Sequence, residues 1–230
     1  MINVNVIGTI LVTKTFLPLI KKAKPLIKKA ECEGVNSTLS NQGGRIIIVG
    51  SINGFCSYPG LSIYCASKFA LEGFSQVLRA EVKKLSLHVI LIRPGDFARL
   101  TNIMASHRKS ADEMWTAMST SDQKFYQKYF HAYHDHIVKN AGMTSPSSFE
   151  KSTLFHDLEE SLLEVAPRIE ITVAPLGFRI FFNILSLMPS SMKDWFIDAL
   201  YVHVFKFDAK KYLPDAENLQ QNQESESTQL

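Results

Sequence analysis

The feature that most constrains the fold is the run Arg45-Ile46-Ile47-Ile48-Val49, flanked by glycine on both sides. A short, β-branched and apolar run of this kind is typical of a strand buried on both faces. Residues 62–85 follow with the apolar spacing of a long helix, and residues 87–92 form a second apolar run. Strand, helix and strand joined by a right-handed crossover are the unit of a doubly wound α/β sheet. We therefore expect the first run to be a central strand of a parallel sheet.

Further elements are predicted on both sides of this unit. Residues 4–20 have the spacing of an amphipathic helix that ends or kinks near Pro18. Residues 96–165 look helical and polar, and Ile169 to Val173 is a candidate for one more short strand. The apolar segments between Phe178 and Phe205, interrupted by a proline, are too short to span a bilayer. Core packing, a lid over a substrate and a membrane-surface patch remain open for them.

The charge and the histidine spacing bear on two functions, nucleic-acid binding and metal binding. The net charge is only +3 and the basic residues are scattered apart from one lysine cluster at 21–29, so we expect no nucleic-acid partner. His131, His134 and His136 have a spacing that allows two of them to share a helix face. No other Cys/His cluster completes four ligands, so we expect exposed polar residues here and no metal.

Tyr64 and Lys68 lie four residues apart at the start of the predicted long helix, so their side chains share one face. A phenol is a poor base at neutral pH, but a fixed ammonium beside it favours the phenolate and makes the pair a usable acid/base. The spacing alone is weak evidence, because most such pairs are unrelated surface residues.

The position of the pair along the chain makes it specific. Ser51 directly follows the first buried strand, where strand ends of an open α/β sheet line a ligand crevice, and its hydroxyl can bind a substrate oxygen. The order is buried strand, Ser51-Ile52-Asn53-Gly54, Tyr64-Cys65-Ala66-Ser67-Lys68, long helix, buried strand and Pro94-Gly95. With these motifs in this order, the chain resembles the short-chain dehydrogenase/reductase family. The segments Tyr58 to Phe74 and Leu187 to Trp195 are most similar to the branch with 3-hydroxybutyrate, retinol and 17β-hydroxysteroid dehydrogenases.

The resemblance implies a role for each matching residue. Tyr64 donates or takes the hydroxyl proton, Lys68 assists it and holds the nicotinamide ribose, and Ser51 positions the substrate oxygen. Asn5 matches the asparagine that anchors a water of the proton relay. Pro94, Gly95 and Phe97 match the loop that touches the nicotinamide carboxamide. That loop usually has a threonine where Arg99 stands here, and Thr101 is the residue expected to substitute for it.

The resemblance also implies a fold of which this sequence contains only a part. We expect an α/β, Rossmann-like doubly wound parallel sheet that is incomplete, lacking its first strands and the Gly-rich turn that holds the pyrophosphate. No two of the eleven glycines are two residues apart, so neither Gly-x-x-x-Gly-x-Gly nor Gly-x-Gly-x-x-Gly occurs. The predicted domains are the C-terminal half of a Rossmann-like catalytic domain (1–95), a substrate-covering helical region (96–213) and a disordered tail (214–230).

Two functions follow as hypotheses. The first is an oxidoreductase that uses NAD or NADP to interconvert a secondary alcohol and a ketone, with a hydrophobic or small hydroxy/keto substrate. The second is an N-terminally truncated, inactive form that binds no nucleotide and at most pairs with full-length subunits. The resemblance implies a homo-oligomer through helices 4–20 and 62–85. The sequence fixes no compartment; the branch implies a mitochondrial or endoplasmic reticulum location and leaves membrane-surface association open.

Overall fold

The computed structural model describes residues 1–22, 43–57, 59–95, 97, 104–141, 152–164, 166–203 and 206–213. A π-helical stretch Asn3–Gly8 continues into α1 (Thr9–Lys22). The elements that follow are β1 (Arg45–Val49), α2 (Ser62–Val82), β2 (His88–Pro94), α3 (His107–Ala117), α4 (Thr120–Ala141), α5 (Thr153–Leu163), β3 (Glu170–Val173), α6 (Leu176–Leu187) and α7 (Ser190–His203). Short 3₁₀ turns occupy Ile52–Gly54, Lys83–Leu85 and Ala209–Lys211.

The three described strands form one parallel sheet in the order β1-β2-β3. On one face, β1 and β2 pack with α2 and α1 around Ile48, Leu71 and Leu91. On the other face, Ile90, Ile92 and Ile171 pack with Leu154 of α5. The predicted α/β class with an incomplete Rossmann-like parallel sheet is confirmed, and so is the third strand near residues 169–173.

The prediction that β1 is a central strand buried on both faces was wrong. Among the described strands β2 takes that place, because it has neighbours on both sides and its residues 89–92 are at most 1% exposed. β1 lies at an edge: Ile46 and Ile48 are buried, whereas Val49 is 50% exposed. A run of β-branched residues reports strand propensity, but the number of neighbouring strands decides burial.

The first helix does not end near Pro18 but continues through it to Lys22, and a kink at Pro18 stays a prediction. Pro18 removes one hydrogen bond to the carbonyl of Lys14, and both residues are exposed, so water can satisfy that carbonyl. Among the described residues, the run Asn3–Lys22 alone is long and apolar enough to cross a membrane, with a mean hydropathy of 1.4. A helix packed in a protein interior passes the same test of length and composition.

The chain divides into two compact units. The sheet unit comprises residues 1–97 and 147–188, and the helical unit comprises residues 98–146 and 189–230. Within the helical unit, α3 packs against α4, and Phe207 contacts Tyr129 and Tyr133. The predicted boundary at residue 95 stays a prediction, and the tail from residue 214 onward lies outside the described residues.

Candidate functional site

Ser51 lies where the chain leaves the sheet. The backbone N–H of Gly50 donates to the carbonyl of Ile92 at 2.8 Å, which holds the end of β1 against β2. Ser51 is 5% exposed, and its Oγ accepts a hydrogen bond from the backbone N–H of Asn53 at 3.2 Å, capping the 3₁₀ turn. The hydroxyl proton is not used in that bond, so Ser51 keeps a donor at the carboxyl end of β1.

Tyr64 and Lys68 lie on the first turns of α2, which begins directly after the loop that follows the 3₁₀ turn. The ammonium Nζ of Lys68 lies 5.7 Å from the centre of the Tyr64 ring and donates to the carbonyl of Val49 at 3.2 Å. Burial lowers the pKa of Lys68. The helix therefore carries its phenol and its cation to the strand end that Ser51 follows, so the three predicted residues belong to one region.

Asn5 joins the same region through a buried serine. Its Nδ2 donates to Oγ of Ser67 at 3.1 Å, and that hydroxyl donates to the backbone carbonyl of Tyr64 at 2.7 Å. Ser67 is fully buried. Asn5 thus ties the π-helical start of the chain to the turn of α2 that carries Tyr64; its role in anchoring a water stays a prediction.

The predicted nicotinamide loop is anchored to the last strand. Pro94 ends β2, and the backbone N–H of Gly95 donates to the carbonyl of Val173 at 3.0 Å. A Cβ on Gly95 would lie 3.1 Å from that carbonyl oxygen, so a side chain there would press on β3. Phe97 packs against the hydrophobic cluster around Ile90. Arg99 and Thr101 lie outside the described residues.

A buried ion cluster that the sequence patterns did not predict lies next to this region. Nε and Nη2 of Arg93 donate to the two oxygens of Glu72 at 2.7 and 2.6 Å, and Nη2 also lies 2.8 Å from Glu170. The guanidinium lies 5.4 Å from the centre of the Phe55 ring. Burial by itself lowers the pKa of Arg93, but its hydrogen bonds and charge interactions with Glu72 and Glu170 outweigh burial and raise it.

This cluster connects the segments that carry the predicted site residues. Glu72 follows Lys68 by one helical turn, Phe55 belongs to the loop after Ser51, and Arg93 directly precedes Pro94. The available signal was a carboxylate four residues after Lys68, within a helix whose other buried members are mostly apolar or small. Because the partners are 21 residues apart, the sequence could not pair them.

Gly54 is where the loop after Ser51 comes closest to α2. A Cβ at Gly54 would lie 2.9 Å from Cγ of Glu72 and 3.0 Å from the carbonyl of Lys68. We expect Gly54→Ala to lower the free energy of unfolding by about 1–3 kcal/mol through overpacking, as measured by urea denaturation.

Gly73 is the matched control, because a Cβ there would meet nothing within 4 Å. Gly73→Ala, in the interior of α2, should instead stabilise by about 0.5–1 kcal/mol. Equal effects of the two substitutions would show that the loop does not press on the helix.

Comparison with a solved structure bears on the fold. A short-chain dehydrogenase/reductase from Burkholderia phymatum, crystallised in complex with NAD, superposes with a TM-score of 0.51. It is 17% identical in sequence, and the match covers 79% of this chain and 54% of that one. At this identity the likeness concerns the fold alone.

Comparisons of sequence bear on the family. The profile described as short chain dehydrogenase matches residues 1–112, which hold the elements from the π-helical stretch to the start of α3. The chain is 29% identical to 17-beta-hydroxysteroid dehydrogenase type 6 of Bos taurus, over 85% of this chain and 55% of that protein. It is 25% identical to the mitochondrial D-beta-hydroxybutyrate dehydrogenase of Rattus norvegicus (87% and 52%) and 29% identical to retinol dehydrogenase 7 of Mus musculus (84% and 54%). The chain thus spans about half the length of the curated relatives it matches. Its first 112 residues match the short-chain dehydrogenase/reductase family.

Proposed function

We propose that this protein is a nicotinamide-dependent oxidoreductase that interconverts a secondary alcohol and a ketone at Ser51, Tyr64 and Lys68. The observation that carries the proposal is the placement of the Lys68 ammonium beside the Tyr64 ring and against the carboxyl end of β1. A phenol held beside an ammonium at this strand end is placed to exchange a proton with an alcohol oxygen. The match of residues 1–112 to the family supports the same chemistry.

The proposed proton path uses this chain's own groups. In the oxidising direction, the hydroxyl proton of the alcohol passes to the oxygen of Tyr64, while Ser51 donates a hydrogen bond that holds the substrate oxygen. In the reducing direction, Tyr64 returns that proton to the oxygen of the ketone. In both directions Lys68 keeps its ammonium beside the Tyr64 ring. Hydride transfer is the chemistry that the nicotinamide ring supplies when bound.

The residues fit a nicotinamide cofactor at one end only. Tyr64 and Lys68 suit the ribose beside the nicotinamide, and Pro94 and Gly95 suit the carboxamide. The Gly-rich turn that binds the pyrophosphate does not occur in these 230 residues. The Burkholderia phymatum relative in complex with NAD supports a nicotinamide cofactor here, while the choice between NAD and NADP stays open.

The proposed substrate is a hydrophobic or small hydroxy or keto compound. Relatives are named for a hydroxysteroid, for hydroxybutyrate and for retinol. In this chain, Phe182 of α6 meets Phe55 edge to face at 6.3 Å, which lines the side of the Ser51 loop with aromatic rings. The same helix exposes one apolar stripe, consisting of Leu176, Ile180, Ile184 and Leu187. An apolar substrate or a membrane surface would suit such a helix.

Pairing with a second copy through α1 and α2 is also part of the proposal. Both helices expose large apolar side chains, including Leu11, Phe16 and Leu19 on α1 and Ile63 and Val77 on α2. Exposed apolar side chains in such number suit an interaction site. The mitochondrial and retinol or steroid relatives favour a mitochondrial or endoplasmic reticulum location for this protein.

The experiment is a titration of the purified chain with NADH and NADPH by calorimetry. Oxidoreductase activity of this chain requires saturable binding of at least one of them below about 1 mM, the upper end of ordinary Michaelis constants. A non-catalytic partner of longer subunits would bind neither.

A further inference from the structure

Two histidines join α3 to α4 in the helical unit. Nε2 of His107 lies 3.0 Å from Nδ1 of His134, and the ring centres are 5.0 Å apart. The residues are 27 positions apart, at the start of α3 and within the second half of α4. No group of three His, Cys, Asp or Glu in the described part of the chain is placed to hold a metal.

The surroundings favour neutral rings. His134 also packs against the buried ring of Phe130 at 4.3 Å, beside a cavity of about 150 Å³. Burial lowers the pKa of His107, and Arg108 lowers it further. Burial likewise lowers the pKa of His134, with added lowering by His107 and His131, while Asp135 opposes them.

Among the described residues, the charged and titratable groups that line the cavity beside the pair come from the same two helices. Arg108 and Asp112 of α3 and His131 and Asp135 of α4 line the cavity, and the Tyr133 ring lies 5.5 Å from that of His134. Two carboxylates thus attract protons to the pair, against one fixed cation and a third imidazole.

The hydrogen bond between the two rings persists with one added proton but not with two. When both rings are neutral, one ring nitrogen donates and the other accepts. With one added proton, an imidazolium donates to an imidazole, and the bond persists. With two added protons, both nitrogens at the contact are donors, no acceptor remains, and two positive charges face each other across 3.0 Å.

We propose that His107 and His134 form an acid-sensitive latch, which holds α3 against α4 near neutral pH and opens when both rings are protonated. The direction of the pH effect on the closed state follows from the proton uptake of the closed and opened states. The unfolded or opened chain takes up protons with a pKa of about 6.5, whereas the closed pair resists the second proton. The closed state is therefore fully stable above about pH 6.5 and loses stability as pH falls below it. This latch is independent of the proposed catalysis.

Trp115 provides a local reporter of the contact. It lies on α3 with its ring centre 5.0 Å from that of Phe130 and 4.8 Å from that of His131, both on α4. The other tryptophan, Trp195, is 71% exposed on α7. In a Trp195→Phe background the emission maximum therefore reports on the α3–α4 contact alone. Wavelength is measured because a protonated His131 would change the intensity without any opening.

The test compares emission maxima between pH 7.5 and 5 in the full chain. The emission maximum of the Trp195→Phe protein should shift to longer wavelength as pH falls, because Trp115 becomes more exposed to water. Adding His107→Gln should remove most of the shift, since the amide can donate to neutral His134 or turn its oxygen towards protonated His134. Adding His156→Gln, which removes an exposed imidazole on α5, is the control and should leave the shift intact. An equal shift with His107→Gln, or no shift in the parent, would overturn the proposal.

Discussion

Replacing Tyr64 by phenylalanine is expected to lower the rate constant for alcohol oxidation by roughly 10²- to 10⁴-fold, the usual contribution of a positioned acid or base. The substitution removes the phenol oxygen that is proposed to take the proton but keeps the ring near Lys68. Nucleotide affinity should change little, because the proposed ribose contact of Lys68 remains. The assay is cofactor-dependent oxidation of 3-hydroxybutyrate and of a 17β-hydroxysteroid, which are both secondary alcohols.

Tyr126→Phe is the matched control for this loss. Tyr126 lies on α4 and is 37% exposed, so removal of its hydroxyl should leave turnover unchanged. If the Tyr64→Phe protein kept a large part of the parent turnover on every substrate that the parent oxidises, Tyr64 would not be the proton-transferring group.

Removal of the guanidinium of Arg93 should be the most damaging single change to stability. In Arg93→Met, Glu72 loses both of its charge-assisted hydrogen bonds and Glu170 loses its closest cation. The side chains of Arg93 and Glu72 are only 14% and 10% exposed, so water cannot replace the lost contacts. We expect the free energy of unfolding in urea to fall by about 3–5 kcal/mol, as for other buried pairs that lose one partner.

Arg168 offers a control of the same chemistry at the surface. It bridges Asp157 and Glu160, each at 2.7 Å, but its side chain is 47% exposed. Arg168→Met should therefore cost less than about 1 kcal/mol. The double substitution Glu72→Met with Arg93→Met should recover much of the loss, because no unpaired charge stays buried. Similar losses for Arg93→Met and Arg168→Met would contradict the assignment of Arg93 to a buried cluster.

Local patterns predicted those features of the fold that depend on neighbours in sequence. Strand propensity located β1 and β2, helical periodicity located α2, and the four-residue spacing put Tyr64 and Lys68 on one face. The same patterns do not encode how many strands flank a given strand. For this reason β1 was expected at the centre of the sheet, although it lies at an edge.

Contacts between distant residues were not predictable in this way. The pairing of Glu72 with Arg93 depends on how α2 packs over β2, and that of His107 with His134 on how α3 meets α4. His134 of α4 was expected to be an exposed polar residue because its partner lies 27 residues earlier. The candidate site was largely predictable because its residues follow strand ends and one helix turn, whereas the ion cluster that supports it was not.

Nucleotide binding tests the proposed oxidoreductase most directly. A variant of Lys68 shows whether the binding uses the proposed site. The folded 230-residue chain and its Lys68→Met variant would each be titrated with NADH and NADPH by calorimetry. The account predicts saturable binding of one nucleotide to the parent below about 1 mM, and clearly weaker binding to the variant, which lacks the proposed ribose contact. A folded parent chain that binds neither nucleotide at that concentration would contradict catalysis by this chain.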